Sequence, residues 1–466
     1  MFERRIHLRA TTARARASAL SASVRMALLA CAMSPGAAYA GQLDYTLFTG
    51  LEHSNNITLS QTDPISQNVL IPGFNFNYTQ QGATVQANVA GTLEYRDYLG
   101  DRFSNQTQTQ LMGKVNWTMI PSRLDFAFED SAGVAPVDSL ASNAPNNQQQ
   151  INVFSLGPTL HFQLADQLRG QVELRYINSY ASKIDDFNSS RGVAAFRVYH
   201  DISPTDQVSL NVESQRVVFD NRTAIDLVGL GDGIDPGNGI PVVTDNYTRN
   251  ELFGRYVSNL SKFTIDAELG WTTLHFGQAP DQSSPLGRLT LTWTPTLRST
   301  LDLGAVYQYS DAAQDSLLPI GAPISNVGAI SVGNTVVNSQ AYLERVLEAG
   351  YTYHTERWSV SVAPTYSKLE YFNNPTFNQT GTGGLFNWSY RIRPTITVST
   401  FLEVERLMYE DLDRTDKTYR YGLDLVDRLT PHFSWHAAFT RQLRQSSSLG
   451  RSYNENEIYF GVEYKR

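Results

Sequence analysis

The side chains with chemistry to offer are carboxylates and guanidiniums on the polar side of stretches in which apolar and polar residues alternate. Glu94, Glu173, Glu213, Asp266, Glu268, Asp302, Glu403, Glu405, Asp424 and Glu463 are the acids of this set, and Arg175, Arg255, Arg288, Arg391 and Arg420 the bases. A period of two aims every member of such a stretch to one side of a sheet. Groups of this kind either converge for acid/base catalysis or line an aqueous passage. No G-x-S-x-G, H-E-x-x-H, Walker loop or C-x-x-C occurs, so an enzyme is not expected and no cofactor is implied. His432 and His436 are four apart, which in a strand puts them on one face but ~13 Å from each other. They read as a turn residue and a lumen residue, not as a metal pair. The loop Gly229-Leu230-Gly231-Asp232-Gly233-Ile234-Asp235-Pro236-Gly237-Asn238-Gly239 has the composition of a calcium loop or a nest of amides, and equally of a long external loop.

These groups must be positioned by strands. From Lys262 to Phe276, Phe263, Ile265, Ala267, Leu269 and Trp271 alternate with Lys262, Thr264, Asp266, Glu268 and Gly270. The apolar run covers about ten residues, the length a transmembrane strand needs. The same two-faced pattern recurs in Val85–Glu94, Gln171–Tyr176, Val208–Glu213, Leu301–Gln308 and Ile396–Glu405. Tight turns fall near residues 80–82, 121–123, 165–167, 203–206, 260–262, 295–297, 355–357, 393–395 and 430–432. Between them lie longer polar connections at 54–66, 96–105, 134–149, 181–189, 220–246, 276–284, 311–337, 372–382, 410–416 and 446–454. Strict alternation of short and long connections marks outer-membrane barrels, with tight periplasmic turns and longer external loops. The fold expected is therefore all-β, a transmembrane antiparallel up-and-down β-barrel of about twenty strands, with eighteen as the alternative. Tyr95, Trp117, Tyr180, Tyr309, Tyr409 and Trp435 at strand ends are expected to form the aromatic girdles. Leu269 and Trp271 should face lipid, Asp266 and Glu268 the lumen, and neutralising Glu268 should cost little.

Composition agrees. Only 18% of residues are charged and 11% are aromatic, against roughly 25% charged in average chains. Residues 1–40 read as an export signal: six arginines, an apolar core from Met26 to Met33, and Ala38-Tyr39-Ala40 before Gly41. A lipoprotein reading through Cys31, the one cysteine, is opposed by Leu29 at its lipobox position. The barrel is then 41–466, starting near Leu43 with both termini in the periplasm and no room for a periplasmic domain. Loss of six Arg and one Glu with the signal moves the formal charge from −8 to −13. Such a balance excludes nucleic acid as a partner. The lumen acids outnumber the bases, so the potential should favour cations or neutral polyhydroxyl chains over polyanions.

Leu51-Glu52-His53-Ser54-Asn55-Asn56-Ile57, Gly91-Thr92-Leu93-Glu94-Tyr95 and Val153-Phe154-Ser155-Leu156-Gly157-Pro158 resemble an outer-membrane β-barrel porin family. Its members are found at exopolysaccharide and exosortase (PEP-CTERM) loci. Ile458, Phe460, Val462 and Tyr464 resemble the terminal strand recognised by barrel assembly machinery, although Lys465 and Arg466 follow the last aromatic. The resemblance implies a bacterial outer-membrane channel in surface exopolysaccharide export, with outer-membrane lipid and the assembly machinery as partners. The missing platform adds a periplasmic or inner-membrane export partner. A general diffusion porin for small solutes is the alternative.

Overall fold

The computed structural model describes residues 41–466 apart from 139, 143, 184–186, 221–244, 316–339 and 373. The signal-like segment and the glycine-rich loop at 229–239 lie outside the described residues. Twenty antiparallel strands form one closed sheet. They are β1 (Gln42–Ser54), β2 (Gln67–Gln81), β3 (Val85–Tyr98), β4 (Gln106–Ile120), β5 (Leu124–Pro136), β6 (Gln148–Ala165) and β7 (Leu168–Ala181). There follow β8 (Ser189–Asp201), β9 (Asp206–Phe219), β10 (Tyr247–Leu260), β11 (Phe263–Phe276), β12 (Gln282–Thr296), β13 (Ser299–Asp311) and β14 (Ala341–His354). The circuit ends with β15 (Trp358–Tyr371), β16 (Gln379–Arg391), β17 (Ile396–Tyr409), β18 (Arg414–Arg428), β19 (Phe433–Ser446) and β20 (Tyr453–Lys465).

Each strand pairs with its sequence neighbours, and β1 closes on β20 from Thr46↔Lys465 to Ser54↔Glu457. At this seam Gly50 stands opposite Gly461, and the Tyr459 ring fills the space where either Cβ would stand. Closure leaves no unpaired edge, which hydrocarbon could not satisfy. The nine tight turns fall between β2 and β3, β4 and β5, and so on around the barrel. The ten long connections leave the sheet at the opposite end, several of them shorter than expected because the strands rise two to four residues further.

The alternation read from the sequence sets the faces. Leu269 is 74% exposed on the outside, together with Trp271, Leu252, Leu210, Leu174, Leu347, Leu423, Ile458 and Phe460. An apolar exterior on a closed barrel is stable only in lipid, and the chain is an outer-membrane β-barrel. Among the described residues no helix is long and apolar enough to cross a membrane. Two girdle expectations fail. Tyr409 faces inward and is 5% exposed, packed with Tyr371, Phe377 and Leu407. Tyr309 is 3% exposed and packs edge-on against Phe372. Both sit at strand ends, as girdle residues do, but Tyr409 has the parity of Glu403 and Glu405 and so points into the lumen, and Phe372 of the β15–β16 connection packs on Tyr309.

Candidate functional site: the lumen and its inward-docked segments

Alternate residues of each strand project into the lumen, and across β7–β14 their charges join one ladder. Glu173 pairs with Arg175 at 3.2 Å and with Arg197 on β8. Arg197 reaches Glu213 on β9 at 3.2 Å, and Glu213 lies 3.8 Å from Arg249 on β10. Arg249 continues to Glu251 at 3.3 Å, and Glu251 to Arg288 on β12 at 3.2 Å. Arg288 also holds Glu268 on β11 at 2.9 Å, and Glu268 lies 3.4 Å from Arg255, which chelates Asp266. Arg288 Nε donates to Gln308 on β13 at 2.6 Å, and Gln308 Nε2 donates to Glu344 on β14 at 2.9 Å. Register makes this possible: Glu268 stands opposite both Arg255 and Arg288, and Glu213 opposite Glu251. Two acids face each other there only because Arg249 and Arg197 flank them.

The remaining expected lumen residues are more dispersed. Glu94 and Glu52 share Arg96, at 3.4 and 2.6 Å. Asp302 accepts from Thr292 Oγ1 at 2.7 Å. Glu403 lies 3.8 Å from Arg420, and Asp424 holds His436. Glu405 is on the same face of β17, opposite Thr418. Arg391 ends β16 at the short-turn rim, opposite Thr397. Glu463 on β20 accepts from Ser434 Oγ at 3.3 Å. His432 lies in the turn before β19, with Nδ1 3.0 Å from the Lys465 carbonyl. Among the described residues no cluster of His, Cys and carboxylates could hold a metal.

The expectation of an unbalanced acidic wall needs correction, because Arg96, Arg191, Arg197 and Arg249 also point inward and answer most of the acids. Acids stay in excess in two sectors: on β20, where Glu455 and Glu457 neighbour Glu52, and on β13–β14, where Asp302, Glu344 and Glu348 have no ion pair among the described residues. Glu268 is likewise a linking group with two cationic partners. Glu268→Gln is therefore expected to cost about 1 kcal/mol, not nothing, since a charged hydrogen bond is weakened but its shape is kept. Urea unfolding of the variant in lipid vesicles measures this.

Two long connections turn inward at the mouth. Between β5 and β6, Leu140 packs against Tyr342, Leu369, Tyr371, Leu407 and Tyr409 on strands halfway round the barrel, and against Phe377 in the β15–β16 connection. Its carbonyl accepts from Arg414 at 2.9 Å, and Ser142 Oγ donates to the Leu59 carbonyl of the β1–β2 loop at 3.2 Å. After β13, the helical turn Ala312–Asp315 enters the lumen, and Ala312 and Ala313 pack on Ala135, Ile151, Val153, Ile177, Ala181 and Phe187 of the β5–β8 wall. Its latch is Asp311, 2% exposed, which takes two bonds of 2.7 Å from Arg191 and one from the Tyr247 hydroxyl. The same carboxylate caps the Ala313 and Gln314 amides at 3.0 and 3.1 Å.

Asp315, beyond the strand, is buried beside Glu344, and both causes push its carboxyl up to about 8. An acid whose docked pKa lies above its free value is most stably docked below the ordinary carboxylate range. That stability is lost as pH rises toward 8. Raising the pH from 5 to 8.5 is expected to loosen the segment after β13, and Asp315→Asn to abolish that dependence. Amide exchange at 311–315 reads both.

No protein-family model and no curated protein sequence matches the chain. Solved structures similar to it include the ferric enterobactin receptor of Pseudomonas aeruginosa bound to BCV-L6, at 12% identity and a TM-score of 0.47. That match covers 92% of this chain and 82% of the receptor. The FrpB iron transporter of Neisseria meningitidis is similar at 10% identity and a TM-score of 0.43, over 91% of this chain and 81% of that one. Likeness at this level carries no functional inference.

Proposed function

We propose that this outer-membrane barrel is the final passage for a surface exopolysaccharide, shut at its outer mouth by docked loops when idle. The observation that carries the reading is the lumen ladder from Glu173 to Glu344, in which acid and base answer each other across eight strands. Such a wall offers donors and acceptors to hydroxyl groups without a long stretch of single sign, which suits a neutral polymer. A polyanion would meet the Glu52, Glu94, Glu455 and Glu457 sector. The resemblance of Leu51–Ile57 and its companion stretches to barrels of exopolysaccharide loci supports the same reading. The tight turns at the periplasmic rim are too small for a docking platform, so a separate periplasmic or inner-membrane partner delivers the chain. Barrel assembly machinery inserts the protein through the β20 strand.

A general diffusion porin is the second reading, favoured by the width of a twenty-strand barrel, which falls between porins and plugged transporters. The inward-docked Leu140 and Ala312–Asp315 segments speak against an always-open pore. Deleting the gene is expected to abolish surface polysaccharide and leave small-solute uptake intact. Unchanged polysaccharide with reduced solute uptake would establish the porin instead.

A further inference from the structure

On the outside of the barrel the strand cations are unevenly spread. Arg216 is alone on β9, whereas Arg345, Lys368, Arg406, Lys417 and Arg441 all lie on β14–β19. Within this sector two like-charged pairs stand directly opposite in register: Arg345 with Lys368, and Arg406 with Lys417. Opposed like charges destabilise a sheet. The first pair is answered within the protein, by Glu370 at 2.8 and 3.1 Å and by Glu410 at 3.3 Å from Lys368. The second pair is exposed and has no hydrogen bond or ion pair among the described residues. Directly beneath it runs an apolar column, Val404 opposite Tyr419 and Leu402 opposite Tyr421, and above it the chain leaves the sheet toward the long-loop end.

We infer that Arg406 and Lys417 form a docking site for a phosphorylated lipid headgroup of the outer leaflet. Opposed side chains about 5 Å apart at Cβ can hold one phosphate between them. The column of Val404, Tyr419, Leu402 and Tyr421 receives the acyl chains of the same molecule, which a soluble phosphate would not use. The site lies at the upper margin of the apolar belt, where headgroup phosphates sit, and it offsets the repulsion that the fold leaves unanswered. It is independent of what passes through the lumen.

The test is native mass spectrometry of the folded full-length barrel released from vesicles of phosphatidylcholine containing diphosphoryl lipid A or its dephosphorylated form. Wild type is expected to retain diphosphoryl lipid A and not the dephosphorylated lipid. Arg406→Gln/Lys417→Gln is expected to lose roughly 30-fold in retention, the loss for two surface cations facing an anionic headgroup. Lys417→Gln should lose part of it and Arg216→Gln none. Both substitutions remove repulsion, so the heat-modifiable folded band should persist and confirms that the fold is intact. Equal retention by wild type and the double variant, equal retention of the dephosphorylated lipid, or displacement by millimolar inorganic phosphate alone would overturn the site.

Discussion

Asp311→Ala is expected to open the barrel. In the wild type this carboxylate is buried with Arg191, Tyr247 and two helical-turn amides. Removing it strands the Arg191 guanidinium, itself 3% exposed, without its partner. Breaking a buried pair from one side costs about 3–5 kcal/mol, enough to shift a docked–undocked equilibrium by roughly a hundredfold to several thousandfold. Among the described residues of the turn after β13, the other contacts are the methyl groups of Ala312 and Ala313 and single hydrogen bonds from Arg249 to Gln314 and from Tyr342 to Asp315. Planar-bilayer recordings should show long closed periods for wild type and sustained conductance for Asp311→Ala. Replacing both partners, as Arg191→Met/Asp311→Leu, should restore much of the closure, since no charge is then left buried. Closed records from Asp311→Ala, with the segment still protected from protease, would mean that the latch does not hold the mouth.

Leu269→Arg should be the most damaging change on the exterior. Leu269 lies mid-strand, opposite Gly254 on β10 and Gly287 on β12, so no neighbouring side chain covers it. A charge on the lipid face near the midplane costs about 2–4 kcal/mol. The adjacent Glu268→Gln, on the other face, should cost less than half of that. Unfolding from vesicles compares the two directly. Equal costs would imply a register slipped by one residue, because such a slip exchanges the faces.

What the sequence disclosed follows from how each feature is encoded. Strand number and faces were legible because lipid demands an apolar residue at every second position, as in Phe263–Trp271, and because turns such as Pro121-Ser122-Arg123 interrupt that pattern. The alternation also placed Glu268 and Arg288 inward, but it could not show that they meet. That depends on the register of β11 against β12, which no local pattern states. Arg249 and Glu251 escaped notice for a different reason: Thr248 and Asn250 make the outer face of β10 polar there, so the alternation vanishes. Arg197, between Phe196 and Val198, carried the same signal as the acids that were found. The docked loops were illegible. Leu140 and Asp311 find partners halfway or a quarter of the way round the barrel, and loop sequence has no period to announce such contacts. Tyr409 is a different case: it has the parity of Glu403 and Glu405, so the alternation itself puts it in the lumen, and only its strand-end position suggests a girdle.

The most direct test of a closable passage for a neutral polymer is translocation by the purified barrel in liposomes. Asp311→Ala barrels, with a fluorescent neutral glucan on the periplasmic-facing side, are expected to let the chain diffuse down its gradient, the delivering partner being needed only for directed export. A carboxylated glucan of the same length should pass far more slowly, and wild type should pass neither. Equal or faster passage of the carboxylated chain through Asp311→Ala, or free passage through wild type, would contradict the account.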